Sequence, residues 1–208
     1  MTIRDLGADQ PFDETWELQE RLRIQRAADL IPDTVLLLEH QPVYTIGRTR
    51  DTSSLGETSH LPHPVTTLNR GGQATYHGPG QLTGYAIVDL NNHGRDLHLH
   101  LRRLEEAIIL TLADLGLTAT RRDGLTGVWL EDRKIAALGV GVRRWVTQHG
   151  FALNVTAASL PPFDAITPCG LQNVTTTSIE TELGTTVAMD DVKKLISKHL
   201  EEVFATLQ

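Results

Sequence analysis

Three stretches of this 208-residue chain hold residue types that could do chemistry. The first is Arg70-Gly71-Gly72-Gln73-Ala74-Thr75-Tyr76-His77-Gly78-Pro79-Gly80-Gln81, with four glycines in twelve residues. Glycine has no Cβ and tolerates positive φ, so such a run lets backbone lie close against another group. Tight turns would explain two of these glycines. They do not explain Arg, Tyr and His gathered among all four, which points to a loop that lines a ligand. It is neither a Walker A sequence nor a dinucleotide fingerprint, because no Gly-Lys-Ser/Thr and no Gly-x-Gly-x-x-Gly occurs in it.

The second is Lys134. The chain has four lysines, and the other three, Lys193, Lys194 and Lys198, crowd near the C-terminus while arginine supplies positive charge elsewhere. Lysine can give up its proton when partly buried and arginine does not, so Lys134 could both attract an anion and move a proton. Without a reactive neighbour it would be an ordinary lysine beside Arg133. The third is Cys169, the single cysteine, held between Pro168 and Gly170 in a shaped loop. A free cysteine is most often a small buried hydrophobe. A thiolate, however, is a nucleophile, and a nearby ammonium populates it near neutral pH. His77 and His149 are alternative bases, and spacing alone does not choose between Lys134 and a histidine.

The surrounding composition limits what these residues can serve. Hydrophobic residues make up 40% and charged residues 22% of the chain, the balance of a globular protein rather than a disordered one. One cysteine forms no internal disulfide, which suits a reducing compartment. The N-terminal residues carry no apolar run behind a basic segment, and no stretch reaches membrane-spanning length, so a cytoplasmic protein is expected. The net charge of −7 and pI near 5.7 argue against a general nucleic-acid binder. Arginine pairs at Arg102-Arg103, Arg121-Arg122 and Arg143-Arg144 suit an acidic protein partner or simply separate solvated faces.

No repeat or linker divides the sequence, so residues 1–208 read as one domain. Helix formers from Asp13 to Leu30 predict a first helix, and Val35 to Glu39 a buried strand closed by Pro42. Thr49 to Pro64 reads as a long surface loop, with strands at Val65 to Asn69 and Leu82 to Leu90 bracketing the glycine-rich segment. Asp96 caps a helix whose Leu97, Leu101, Leu104, Ile108, Leu112 and Leu115 recur at helical spacing up to Gly116. His98 and His100 lie on different faces of it, so a surface turn is expected there rather than a metal pair. Gly127 to Val155 reads as antiparallel strands, with turns at Glu131-Asp132 and across Thr147-Gln148. Asp190 caps a last amphipathic helix. The expected fold is α+β, a mixed and largely antiparallel sheet flanked by helices.

Taken in order, the 70–81 segment, Gly127-Val128-Trp129 with Arg133-Lys134-Ile135-Ala136-Ala137-Leu138-Gly139, His149-Gly150-Phe151-Ala152-Leu153-Asn154 and Pro168-Cys169-Gly170 resemble the octanoyltransferases of lipoate biosynthesis. The resemblance spans essentially the whole chain. It implies the fold shared by biotin and lipoate protein ligases, with no cofactor and no metal. It also implies octanoyl transfer from acyl carrier protein to a lysine on lipoyl domains, those of 2-oxoacid dehydrogenases and the glycine cleavage H protein. In that family's terms Cys169 would be the acyl-thioester nucleophile and Lys134 the residue that lowers its pKa. Arg70, Gly71, Gly72, Gln73, Ala74, Thr75, Tyr76, His77, Ala137, Leu138, Gly139, Gly150, Phe151 and Ala152 would line the acyl substrate. Gly141 stands where the family often has a longer, basic residue, and Gln148 where an aromatic is common.

Thioester exchange is nearly isoenergetic and amide formation from a thioester is downhill, so such a transfer needs no ATP, in keeping with the missing phosphate loop. Three other readings remain: an ATP-dependent lipoate ligase, which would not need Cys169; a cysteine thioesterase, which would pass the acyl group to water; and a non-enzymatic acyl-binding module.

Overall fold

The computed structural model describes residues 1–48, 53–55, 58–166 and 174–205. The chain runs β1 (Thr2–Gln10), α1 (Phe12–Ala27), β2 (Thr34–His40), β3 (Val43–Ile46), β4 (Val65–Thr67), β5 (Thr75–His77), β6 (Gln81–Ile87), α2 (Leu97–Asp114), β7 (Thr120–Arg122), β8 (Leu125–Leu130), β9 (Arg133–Arg143), β10 (Val146–Asn154), β11 (Thr175–Thr176), α3 (Ile179–Leu183) and α4 (Met189–Ala205). The main sheet has the order β1-β2-β6-β10-β9-β8-β7, with β11 pairing on β9, and a small second sheet has the order β4-β3-β5. Pairing is antiparallel except for β1 with β2, β3 with β4 and β11 with β9. The mixed, largely antiparallel α+β sheet is therefore as expected from the sequence.

Strand β2 is apolar on both faces because both are covered. Val35 and Leu37 pack with Leu104, Ile108 and Leu112 of α2 and with Ile196 and Leu200 of α4. Leu36 and Leu38, on the opposite face, pack with Tyr85, Ile87 and Leu22 of α1. That second face is shared. Helix α1 covers it over β2, β6 and the first half of β10, while β5 and the loop before it stand over β9 and the rest of β10, and a cleft is left between the two sheets.

Several boundaries differ from the sequence reading, each for a local reason. Helix α1 ends at Ala27, short of Leu30, where Asp29 takes a left-handed φ of 56°. The segment before β6 contains a strand, β5, and Val43–Ile46, directly after Pro42, form β3, both absent from the sequence reading. The described part of the loop from Thr49 to Pro64 forms short 3-10 turns at Ser53–Leu55 and Thr58–His60, and Leu55 is buried rather than exposed. The hairpin turn between β9 and β10 is at Arg144-Trp145, with φ of 53° and 63°, not across Thr147-Gln148. Thr147 and Gln148 belong inside the sheet because their polar groups are satisfied there: Thr147 Oγ1 donates to the Ala86 carbonyl at 2.7 Å and Gln148 donates to Glu20 at 2.8 Å. Asp96 caps α2 as expected, accepting from Leu99 N at 3.0 Å, whereas α4 begins at Met189, one residue before Asp190.

His98 is exposed and His100 faces elsewhere, as the helical spacing requires. The surface turn expected for the pair fails at His100, which is fully buried against Phe204 with ring centroids 5.6 Å apart and neither ring nitrogen hydrogen-bonded. Two of the three arginine pairs serve the fold itself. Arg102 and Arg121 both reach Glu105, Arg121 also reaches Glu106, and Arg122 lies 4.6 Å over the Trp129 ring.

Candidate active site

The cleft rests on a floor of small residues placed by strand register. On β9 and β10, Ala137 stands opposite Ala152 and Gly139 opposite Gly150. Side chains here would fill the slot. Gly150 has a further reason to be glycine, since a Cβ would overlap the Gly84 carbonyl oxygen of β6. Gly141 is explained in the same way, because a Cβ there would sit 2.6 Å from the Asn69 carbonyl oxygen as the chain crosses β9 toward the glycine-rich loop. A longer residue at that position would collide with this crossing.

Over the floor lie the loop at 70–73 and strand β5. Residues Thr75 and His77 point into the cleft, while Ala74 and Tyr76 alternate to the other side and pack with Tyr44, Ile46 and Phe163. Arg70 is buried. Its guanidinium donates to the carbonyls of Gly71 and Gln73 and to both the carbonyl and hydroxyl oxygens of Thr45, at 2.8 to 3.2 Å. Arginine thus pins the loop down, and Gly71 N–H completes the anchor by donating to the Val140 carbonyl at 3.1 Å.

Of the residues expected to line an acyl substrate, Arg70, Gly72, Gln73, Thr75, His77, Ala137, Gly139, Gly150 and Ala152 do line this cleft, and Leu138 and Phe151 border it while their side chains belong to the core under α2 and α4. Gly71, Ala74 and Tyr76 do not. Leu68, Tyr85 and His149 complete the wall. His149 entered the sequence reading only as a possible base, and Leu68 and Tyr85 did not enter it, because in sequence they are indistinguishable from core residues.

Both candidate bases are neutral at physiological pH. Burial, reinforced by His40 and the Arg70 guanidinium, holds His77 well below the ordinary imidazole value. Its hydrogen bonds fix a tautomer. Gln81 Nε2 donates to Asn154, so Gln81 Oε1 accepts from His77 Nδ1 at 2.9 Å, and the lone pair on Nε2 faces the Thr45 hydroxyl at 3.3 Å. Burial and then Arg70 lower His149 to about 4. Behind them His40, lowered to about 4 by burial, accepts the Tyr85 hydroxyl proton at 2.6 Å while donating to the Gln10 carbonyl.

Lys134 lines a second chamber that shares Thr75, Ala137 and Ala152 with the cleft. Its side chain is buried, and its Nζ lies 5.3 Å from the centroid of the Trp129 ring. Gly127 makes room for it. With φ at 144°, a Cβ on Gly127 would stand 2.7 Å from Lys134 Cε and 3.0 Å from the Ala136 carbonyl oxygen. The strand carrying Lys134 is tied to β10 through Thr177, whose N–H donates to the Lys134 carbonyl and whose own carbonyl accepts from Asn154. Cys169 lies outside the described residues. Among the described residues no three His, Cys, Asp or Glu side chains converge as metal ligands, and no helix is long and apolar enough to cross a membrane.

Comparison with known proteins agrees with this arrangement. Residues 11–201 match the family model of the lipoyl protein ligase A/B catalytic domain. The octanoyltransferase of Geotalea uraniireducens is 49% identical over 201 residues, covering 97% of this chain and 92% of that protein. That of Syntrophotalea carbinolica is 46% identical over 206 residues, covering 99% and 95%. Among solved structures, a lipoate-protein ligase A bound with ATP superposes with a TM-score of 0.75 at 18% identity, covering 99% of this chain and 86% of that one. A biotin protein ligase from Aquifex aeolicus gives 0.58 at 14% identity, covering 99% and 69%. These structural likenesses concern the fold.

Proposed function

Because the chain belongs to the lipoyl protein ligase A/B catalytic-domain family and is an acyltransferase of protein lipoylation, we propose that it takes its octanoyl group from acyl carrier protein and passes it to a lysine of a lipoyl domain through a thioester on Cys169. The observation that carries this reading is the apolar cleft floored by Ala137, Gly139, Gly150 and Ala152, which joins the chamber of the buried amine of Lys134. A saturated acyl chain suits the one and a proton-transfer group the other.

The reaction begins with a Cys169 thiolate and a Lys134 ammonium. The thiolate attacks the thioester carbonyl, the bond from that carbon to the carrier sulfur breaks, and Lys134 gives its proton to the departing thiolate. The carrier leaves as a free thiol. In the second half the neutral amine of the acceptor lysine attacks the acyl group on Cys169, Lys134 takes the proton released as the amide forms, and the Cys169 thiolate is restored. Neither half consumes ATP. Burial makes His77 and His149 weak bases, and the hydrogen bonds of His77 already occupy both of its ring nitrogens, which favours Lys134 as the proton carrier.

Incubation with octanoyl-acyl carrier protein in the absence of ATP is expected to leave one hydroxylamine-labile octanoyl group on the protein by intact mass. Cys169→Ser abolishes it. An unmodified wild-type protein refutes the reading, and strict dependence on ATP refutes it in favour of a ligase. Lys134→Arg keeps the charge but cannot shuttle a proton, so near-normal turnover of that variant refutes the acid/base role.

A further inference from the structure

The end of the cleft remote from Lys134 is formed by Leu68, Tyr85 and His149. Tyr85 stands opposite Gly150, which in turn stands opposite Gly139. One rung of the sheet therefore has bare backbone on two strands and a phenol ring on the third. Strand alternation would send His149 to the face covered by α2 and α4, with Phe151. Its φ of 61° turns it back instead, so that its ring meets Tyr85 edge-on with centroids 6.1 Å apart and its Cδ2 lies near Gly141. A left-handed conformation is unfavourable for a residue with a Cβ. Pairing with β9 passes through His149 and Val140 without a register shift, so no bulge requires it. Gln19 of α1 holds it there by accepting the His149 N–H at 2.9 Å.

The dimensions admit a chain of this length. Lys134 and Gly139 are five residues apart on β9, about 16 Å, and an extended eight-carbon chain of about 9 Å fits within that span. We propose that Leu68, Tyr85 and His149 are the end wall that measures the acyl chain, with the strained backbone of His149 serving to place its ring in that wall. The proposal takes its substrate class from the octanoyl-transfer reading above.

The test offers hexanoyl-, octanoyl-, decanoyl- and dodecanoyl-acyl carrier protein in competition to the wild-type protein and to His149→Gly and Leu68→Ala, with loading read by intact mass. Glycine occupies φ of 61° without strain, so His149→Gly removes the ring while keeping the backbone. Both variants are expected to raise the ratio of decanoyl to octanoyl loading by about tenfold or more, since two further methylenes find apolar space. A ratio within twofold of wild type in both overturns the wall. Titration of the same proteins with free hexanoate, octanoate, decanoate and dodecanoate by calorimetry separates this from the transfer chemistry. A length preference that moves in the variants without any loading supports the wall and removes the transfer reading; normal octanoyl loading with an unmoved preference does the reverse.

Discussion

Acid should unfold this protein earlier than its carboxylates alone would require, because several histidines are buried in the neutral form. His40 and His149 are lowered to about 4 and His100 to about 3, in every case mainly by burial. Above the ordinary imidazole value of about 6.5 both folded and unfolded states are neutral at these positions and pH has no leverage. As pH falls below it, the unfolded chain takes up protons that the folded chain refuses, so stability declines until the folded imidazoles also titrate. At pH 5 the difference is about 2 kcal/mol for each histidine, or about 6 kcal/mol for the three, which is a large part of the stability of an ordinary domain. Urea unfolding at pH 7.5, 6 and 5 measures it, with the pH slope giving the number of protons taken up. His100 isolates one share, since it lies outside the cleft and both its ring nitrogens lack partners. His100→Leu leaves no orphaned group and should recover about 2 kcal/mol at pH 5 relative to wild type. A stability that is flat from pH 7.5 to 5, or a His100→Leu variant with an undiminished proton uptake, refutes the assignment.

Gly127→Ala is expected to cost about 1–3 kcal/mol of stability through its φ of 144° and, by displacing Lys134, to slow octanoyl transfer about 100-fold or more while free octanoate still binds; a wild-type transfer rate in a folded variant counts against Lys134 as the proton carrier. Gln19→Leu removes the acceptor for the buried His149 N–H and should cost about 1–3 kcal/mol in thermal or urea unfolding, and should shift the acyl-length preference in the same direction as His149→Gly. An unmoved preference there means that His149 keeps its strained conformation without Gln19.

Much of the frame is legible in the sequence because it rests on periodicity. The apolar run at Val35 to Leu38, the Asp96 cap and the heptad-like face of α2 are each specified by the residues that form them. The missed features are those in which local chemistry gives way to tertiary contacts. Arg144 and Trp145 make a tight hairpin turn without the Gly or Asn that usually supports positive φ. Helix α1 buries Thr15, Gln19, Arg23 and Arg26, an inward face that no hydrophobic count identifies. Gln19 and Glu20 spend that polarity on the backbone of His149 and the side chain of Gln148, at the strand that floors the cleft.

The site divides along the same line. The glycine-rich segment is readable as a ligand loop, yet treating it as loop throughout hides the three-residue strand Thr75–His77, and with it the alternation that sends Ala74 and Tyr76 away from the cleft. Glycines at 139, 141 and 150 look alike in sequence but answer different neighbours: the Gly71 carbonyl, the Asn69 carbonyl and the Gly84 carbonyl. Each lets a separate piece of backbone settle onto the sheet, two from the loop above and one from the strand beside. The shape of the cleft follows from those three approaches together. The motif therefore encodes the closeness of backbone to backbone as much as contact with a substrate, and this explains why residues in one motif divide between lining the cleft and building its wall.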